Sequence, residues 1–186
     1  MISFGALAEL FEIATSPYSS APWACAPAPT TKSVERIQRD LGIRIPDDFV
    51  RLAAACPSYG SWLASIGDDF DSASHITKLN AFFHESTPSD EDGYAELPRH
   101  LIMLNHGYDG DCDCWDTRGV TASGEHPIVY VCVDAQTPET AGTIFQSFRA
   151  YAEHFALHQA PSVSDKAQRR RAKRLIQELG ASITET

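Results

Sequence analysis

The sequence has few basic residues and no long apolar run. Its 186 residues hold 15 Lys and Arg against 25 Asp and Glu, a formal net charge of −10. Such a chain repels nucleic acid and favours cationic partners. No apolar segment approaches the roughly 20 residues of a transmembrane helix. The N-terminal stretch lacks a basic leader and carries Glu9 and Glu12, which argues against a secretory signal. We therefore expect a cytoplasmic protein with no membrane partner.

Recognisable catalytic and cofactor motifs are also missing. The sequence contains no nucleophile elbow, no HExxH pair, no phosphate-binding glycine loop and no deaminase pattern. A Cys–His pair that uses Cys56 stays open, because such residues meet only in the fold. The alternative for Cys56 is a packing residue at a helix end. The sequence predicts no enzyme, no catalytic residues and no cofactor.

Cysteines are few, odd in number and poorly spaced for a metal. They stand at positions 25, 56, 112, 114 and 132, and free thiols in a reducing compartment are the simplest interpretation. Cys112 and Cys114 form a Cys-x-Cys pair without a second pair, which does not match a zinc site. We expect both thiols to lie in the core.

A calcium loop is also excluded by spacing. Asp109, Asp111 and Asp113 begin like such a loop, but Cys114 and Val120 occupy the positions that need Gly and Glu. The sequence therefore predicts no metal site.

The segment 101–134 organises the chain. Leu101–Leu104 is apolar, 105–110 is rich in turn formers, Asp111–Asp116 alternates, and Ile128–Val133 is strongly strand-like. This pattern predicts three strands joined by a tight acidic turn and a longer loop. Because side chains alternate along a strand, one face of the second strand holds Cys112, Cys114 and Asp116, and the other holds Asp111, Asp113 and Trp115. We expect the first face to look inward and the second outward.

Apolar spacing elsewhere indicates helices. They are expected over 2–14, from an N-cap at Ser33 to Leu41 before Gly42, over 47–56, over 141–157 after a loop at 134–140, and over 165–179 before Gly180. Residues 59–62 are expected to turn into a strand. Residues 76–83 fit either a strand or a helix, and the sequence leaves both open.

A basic cluster closes the chain. Residues 165–186 hold six basic and three acidic residues, a net charge of +3, whereas residues 1–164 carry −13. The basic residues are Lys166, Arg169, Arg170, Arg171, Lys173 and Arg174. A nucleic-acid-binding tail is one interpretation, but no aromatic residue accompanies the cluster. We favour a helix that docks by its apolar edge, with cations against the acidic body or in solvent.

Six short motifs follow one another in a definite order. They are Leu41-Gly42 with Ile43-x-Ile45-Pro46-x-Asp48-Phe49 and Leu52; Tyr59-Gly60 with Trp62; Pro98 with Leu101-Ile102; Asp109-Gly110-Asp111 with Cys114 and Asp116; Pro127-Ile128-Val129; and Ser147-Phe148-x-x-Tyr151. This order resembles the SUKH superfamily, which includes bacterial immunity proteins and fungal regulators of cell-wall synthesis. The resemblance covers 34–158, although the turn is less glycine-rich than is usual in the superfamily.

The resemblance implies an α+β fold, a single domain with a mixed, mostly antiparallel sheet flanked by helices. We divide the chain into an N-terminal helix and Pro-rich arm (1–32), a SUKH-like α+β domain (33–160) and a basic C-terminal helix (161–186). Whether the first helix packs on the domain or stands apart stays open.

The resemblance also implies a binding role, since immunity-type members bind a toxin domain, often a nuclease, and block it. We predict an immunity protein that occludes a cognate bacterial polymorphic toxin. The alternatives are a regulatory or scaffold module of the same fold and an uncharacterised hydrolase. The candidate partner-binding residues are Trp62, Asp68, Asp69, Asp71, Asp90, Glu91, Asp92, Asp109, Asp111, Asp113 and Trp115. For either tryptophan, a core position is the alternative to an interface anchor.

Overall fold

The computed structural model describes residues 2–15, 30–56, 72–85, 96–106, 111–132 and 139–184. Its helices are α1 (Phe4–Thr15), α2 (Thr31–Leu41), α3 (Asp47–Ala55), α4 (Ser72–Glu85), α5 (Phe148–Gln159) and α6 (Lys166–Thr184). A short 3₁₀ turn, Ala160–Ser162, joins α5 to α6. The strands are β1 (Leu101–His106), β2 (Asp111–Asp116), β3 (Ile128–Cys132) and β4 (Glu139–Phe145).

The four strands form one sheet in the order β1-β2-β3-β4, and each neighbouring pair is antiparallel. Leu101 lies opposite Asp116, and Cys114 lies opposite Val129. The three strands expected within 101–134 are confirmed. The α+β fold class is confirmed as well, with helices packed beside an antiparallel sheet.

The helix predicted over 141–157 is wrong in its first part. Residues 139–145 form β4, and α5 begins only at Phe148. Thr143, Ile144 and Phe145 are β-branched or aromatic residues that favour a strand. Ser147 then starts the helix, because its side-chain oxygen accepts a hydrogen bond from the Ala150 amide at 3.2 Å. The apolar spacing matched a helix because the apolar residues of β4 and of α5 together follow one helix-like spacing across the boundary between the two elements.

Several helix ends also differ from the prediction. The segment 76–83 belongs to the helix α4. Helix α2 starts at Thr31, so Ser33 is not its N-cap. Gly42 ends α2 as predicted, with the positive φ of 68° that glycine tolerates. Helix α6 continues past Gly180 to Thr184. The strand expected near Tyr59–Trp62 lies outside the described residues.

Both faces of the sheet are covered. On one face, Trp115 and Ile128 join a cluster with residues of α1, α3 and α5, which we call the main core. On the other face lies the minor core, which consists of Phe83, Leu97, Leu101, Met103, Cys112, Cys114, Val129 and Val131. Cys112 and Cys114 therefore point inward as predicted. The prediction that the opposite face of β2 looks outward is wrong at Trp115, which lies in the main core.

Helix α1 is part of the main core. Leu7, Leu10 and Phe11 are fully buried, and the ring of Phe11 lies 5.4 Å from that of Phe155 in α5. Each such side chain contributes about 1.5–3 kcal/mol on burial. The burial of these three side chains together contributes a free energy that is a large part of the roughly 5–15 kcal/mol by which a folded domain is stable. The alternative of an independent first helix does not hold in this structure.

Helix α4 covers the free edge of the sheet at β1. Asn80 is 1% exposed; its amide oxygen accepts from the Met103 N–H at 2.6 Å, and its amide nitrogen donates to the Met103 carbonyl at 3.0 Å. One turn later, the His84 Nε2–H donates to the Leu101 carbonyl at 2.9 Å. An edge strand leaves such backbone groups without a partner strand. Here two side chains supply the hydrogen bonds that a fifth strand would make.

We predict that Asn80→Ala lowers the free energy of unfolding by about 2–3 kcal/mol, because it leaves buried backbone groups of Met103 unsatisfied. Asn80→Asp should also destabilise, since a carboxylate cannot donate to the Met103 carbonyl. Urea denaturation measures both. Glu85→Ala, at an exposed position of the same helix, is the control and should change stability by less than about 0.5 kcal/mol. Equal midpoints for Asn80→Ala and wild type would contradict the edge-capping role.

Candidate functional site

Strand β2 holds the predicted site residues that the structure describes. Asp111, Asp113 and Trp115 lie along it, between β1 and β3. The remaining candidates lie outside the described residues: Trp62, Asp68, Asp69, Asp71, Asp90, Glu91, Asp92 and Asp109. The candidate surface is therefore built here from β2 and the elements that flank it.

Trp115 is a core residue. Its side chain is 1% exposed, and its ring lies 5.6 Å from the ring of Phe49 in α3. Phe49 in turn contacts Phe148 at the start of α5. The indole Nε1–H is buried without a hydrogen-bond partner among the described residues. The expectation that Trp115 is exposed is wrong, and the core position weighed beside it is what the structure shows.

Asp113 joins the sheet to α5. The Tyr151 hydroxyl, which is on α5, donates to Asp113 Oδ2 at 3.1 Å. Tyr151 itself is 3% exposed, whereas Asp113 is only half-buried. A hydrogen bond to a charged group is worth about 1.5–3 kcal/mol. This carboxylate thus has a structural role in addition to its predicted role toward a partner.

Two histidines lie on the same helix as Tyr151. His154 and His158 lie one turn apart on α5 with ring centres 4.3 Å apart, and the Phe145 ring packs 5.1 Å from that of His154. Both imidazoles are exposed. Partial desolvation and the neighbouring His158 lower the pKa of His154, while the charge of Asp113 partly offsets this. His154 consequently favours the neutral imidazole.

The far end of β2 carries a second paired carboxylate. Asp116 is 9% exposed, and its oxygens accept hydrogen bonds from the Arg118 amide and guanidinium at 2.7–3.2 Å. Hydrogen bonding from Arg118 lowers the pKa of Asp116 despite burial. This pair fixes the start of the loop after β2.

The loop that follows Asp116 is held by its own side chains. Glu125 Oε2 accepts from the Phe148 amide at 2.8 Å, which satisfies a free N–H at the start of α5. His126 Nδ1 donates to the Gly119 carbonyl at 2.8 Å. The loop therefore positions α5 against the sheet, and with it Tyr151.

The described cysteines are free thiols. Cys56, Cys112, Cys114 and Cys132 form no disulfide. Burial raises the pKa of Cys56 to about 12, with Glu12 adding to the effect, and its Sγ–H donates to the Ala8 carbonyl at 3.3 Å. Burial also raises the pKa of Cys114, whose sulfur lies 3.5 Å from that of Cys112. A nucleophilic or metal-binding cysteine is a thiolate, so the protonated thiols of Cys56 and Cys114 fit packing roles.

Helix α6 docks by its apolar side. Ala172 is fully buried, Leu175 and Ile176 pack against the main core, and Arg171 forms an ion pair with Glu9 of α1. An open groove of about 410 Å³ is lined by Ala167, Arg170, Arg171 and Arg174 of α6. The docked-helix interpretation of the basic cluster agrees with this arrangement.

Comparison with protein families matches residues 28–154 to the SMI1 / KNR4 family (SUKH-1). The match spans about two thirds of the chain. This chain belongs to that family, as the order of its motifs predicted. The family is consistent with an immunity-type or regulatory protein-binding module and is generally non-catalytic.

Comparisons with curated proteins and with solved structures found no match. Among the described helices, none is both long and apolar enough to cross a membrane. Within the same residues, no group of three or more His, Cys, Asp or Glu side chains is arranged to hold a metal ion.

No sequence motif grouped Tyr151, His154 and His158 with Asp113. The four-residue spacing of the two histidines was visible and places them on one side of a helix. The nearness of His154 to Asp113 was not, because it depends on how α5 crosses the sheet.

We predict that Asp116→Asn destabilises the protein at pH 7 and that the difference from wild type shrinks as the pH falls below about 4. The direction of this pH dependence follows from the lowered pKa of Asp116. Its stabilisation is present above the pKa of the unfolded carboxyl and is lost as the folded carboxyl becomes protonated. Thermal unfolding between pH 3 and 7 measures this.

Asp40→Asn, which removes one exposed carboxylate from α2, is the charge-matched control. It should leave the unfolding temperature nearly unchanged at pH 7. A constant difference between Asp116→Asn and wild type across the whole pH range would show that the Asp116 charge does not stabilise the fold.

Proposed function

We propose that this chain is an immunity protein that binds a cognate bacterial polymorphic toxin in the cytoplasm and occludes its active surface. Membership of the SMI1 / KNR4 family (SUKH-1) carries this proposal, because immunity-type members of the superfamily act in this way. The chain itself performs no chemistry in this scheme, and the block is steric and electrostatic.

The charge distribution supports a cationic target. Residues 1–164 carry a net charge of −13, and a toxin that cleaves nucleic acid needs a cationic groove for its substrate. An acidic surface opposite such a groove accelerates encounter and disfavours wrong partners. A nuclease domain is therefore the partner that fits this chain best.

The contact surface is proposed from the acidic residues that have no structural assignment here. These are Asp68, Asp69, Asp71, Asp90, Glu91, Asp92, Asp109 and Asp111, with Trp62 as a candidate anchor. Asp113 remains a candidate for the edge of the surface, since it is half-buried and accepts the Tyr151 hydrogen bond. Trp115 is left out because it lies in the main core.

We predict that co-expression of this chain rescues cells from the toxin encoded beside its gene. Survival should require the chain, since only a bound toxin is blocked. Colony counts with toxin alone and with toxin plus chain measure the effect, and co-purification of the two proteins measures the complex.

The same experiment separates the two non-catalytic alternatives. A regulatory or scaffold module would leave the toxin lethal and would not co-purify with it. Killing that persists although the chain is soluble and abundant would contradict the immunity proposal.

We predict that Asp68→Asn, Asp69→Asn and Asp71→Asn together slow association with the toxin about tenfold or more at low salt and flatten its salt dependence. Stopped-flow association at several salt concentrations measures both effects. The control removes three charges elsewhere, through Glu35→Gln, Asp40→Asn and Glu85→Gln at exposed positions of α2 and α4. Identical salt slopes for the two triple variants would show that net charge, and not a local contact at 68–71, sets the rate.

A further inference from the structure

The exposed side of α5 presents two imidazoles at chelating distance. His154 and His158 are four residues apart on this helix, and their ring centres are separated by 4.3 Å. In the HExxH motif, two histidines at this spacing on one helix face are the two ligands that bind zinc. The pair has no part in the toxin-binding surface proposed above.

The separation of the rings suits one bound ion. When two imidazole nitrogens bind a metal at about 2.0–2.1 Å, the ring centres lie roughly 4.5–5 Å apart, the shorter value for a right angle at the metal. The observed 4.3 Å is within a few tenths of an ångström of the right-angle geometry. A small rotation of the exposed His158 side chain can supply that difference without moving the helix.

The surroundings of the histidine pair favour the binding of a cation. The Phe145 ring packs against His154 and limits its rotation, so less side-chain freedom is lost when an ion binds. The carboxylate of Asp113 acts on His154 from the sheet with a charge that attracts cations.

We propose that His154 and His158 together bind one late first-row divalent transition-metal ion, through one ring nitrogen of each imidazole. Imidazole ligands suit Ni²⁺, Cu²⁺ and Zn²⁺, and the right-angle geometry suits the tetragonal preference of Ni²⁺ and Cu²⁺. Since no third metal-ligating side chain among the described residues converges on the pair, water completes the coordination sphere. Such an ion remains open to a further ligand from another molecule.

Two of the described cysteines and two of the described histidines are poor competitors for the ion. The pKa of Cys56 and that of Cys114 are raised by burial, so these thiols stay protonated. The ring nitrogens of His84 and His126 named above are engaged with backbone carbonyls. The exposed pair on α5 therefore offers the more accessible imidazole nitrogens.

The test uses NiCl₂ with the full chain, carrying no polyhistidine tag, at pH 7.5. Calorimetry should give one Ni²⁺ per chain, and substoichiometric Ni²⁺ should broaden backbone amide signals around His154 and His158 in ¹⁵N spectra. Ni²⁺ is chosen because it does not oxidise the free thiols as Cu²⁺ does.

His154→Gln and His158→Gln should each weaken Ni²⁺ binding by at least about tenfold and abolish the local broadening. His100→Gln, which removes another imidazole outside α5, should leave both unchanged. Both α5 histidines are exposed, so circular dichroism should show intact folding in the two variants. Unchanged affinity in either α5 variant, broadening centred elsewhere, or no one-to-one binding would overturn the proposal. None of these results depends on whether a toxin is bound.

Discussion

Burial of β2 on both faces is the constraint on which the rest of the structure depends. Its side chains alternate between two cores, with Trp115 in the main core and Cys112 and Cys114 in the minor core. A carboxylate that is buried in such a strand is costly unless it is hydrogen-bonded. Asp113 is accordingly hydrogen-bonded by Tyr151, and Asp116 by Arg118. These two pairings anchor α5 and the loop after β2.

The sequence predicted this strand well and its surroundings less well. Alternation placed the two thiols inward, and Gly42 marked the end of α2, because both signals are local. The sequence left a core position and an interface position open for Trp115, since its burial depends on α3 and α5 packing over that face of the sheet. The carboxylates suggested that this face of β2 looks outward. A carboxylate on a sheet can also lie under a helix when a side chain of that helix donates a hydrogen bond to it, as Tyr151 does to Asp113. The strand β4 was missed because Ile144, Phe145 and Phe148 fit a helical spacing as well.

The two edges of the sheet are treated differently. At β1, Asn80 and His84 take the place of a neighbouring strand. At β4, Gly142 has a positive φ of 66°, and the pairing with β3 shifts register beside Val129. Such irregularity discourages addition of a further strand. A partner that docks by extending this sheet is therefore disfavoured at both edges, which directs the proposed toxin contact to side chains and loops.

The basic helix fits an acidic binding protein better than a nucleic-acid-binding one. A recognition helix presents its cations on a surface free to enter a groove or follow a phosphate backbone. In α6, Ala172 is buried and Arg171 is paired with Glu9, so part of its charge serves docking. The body on which it docks carries −13, and the repulsion between that body and a polyanion acts over about 8–10 Å at physiological salt. A strand of nucleic acid lying along α6 would be repelled by this field, whereas a cationic protein would be attracted by it.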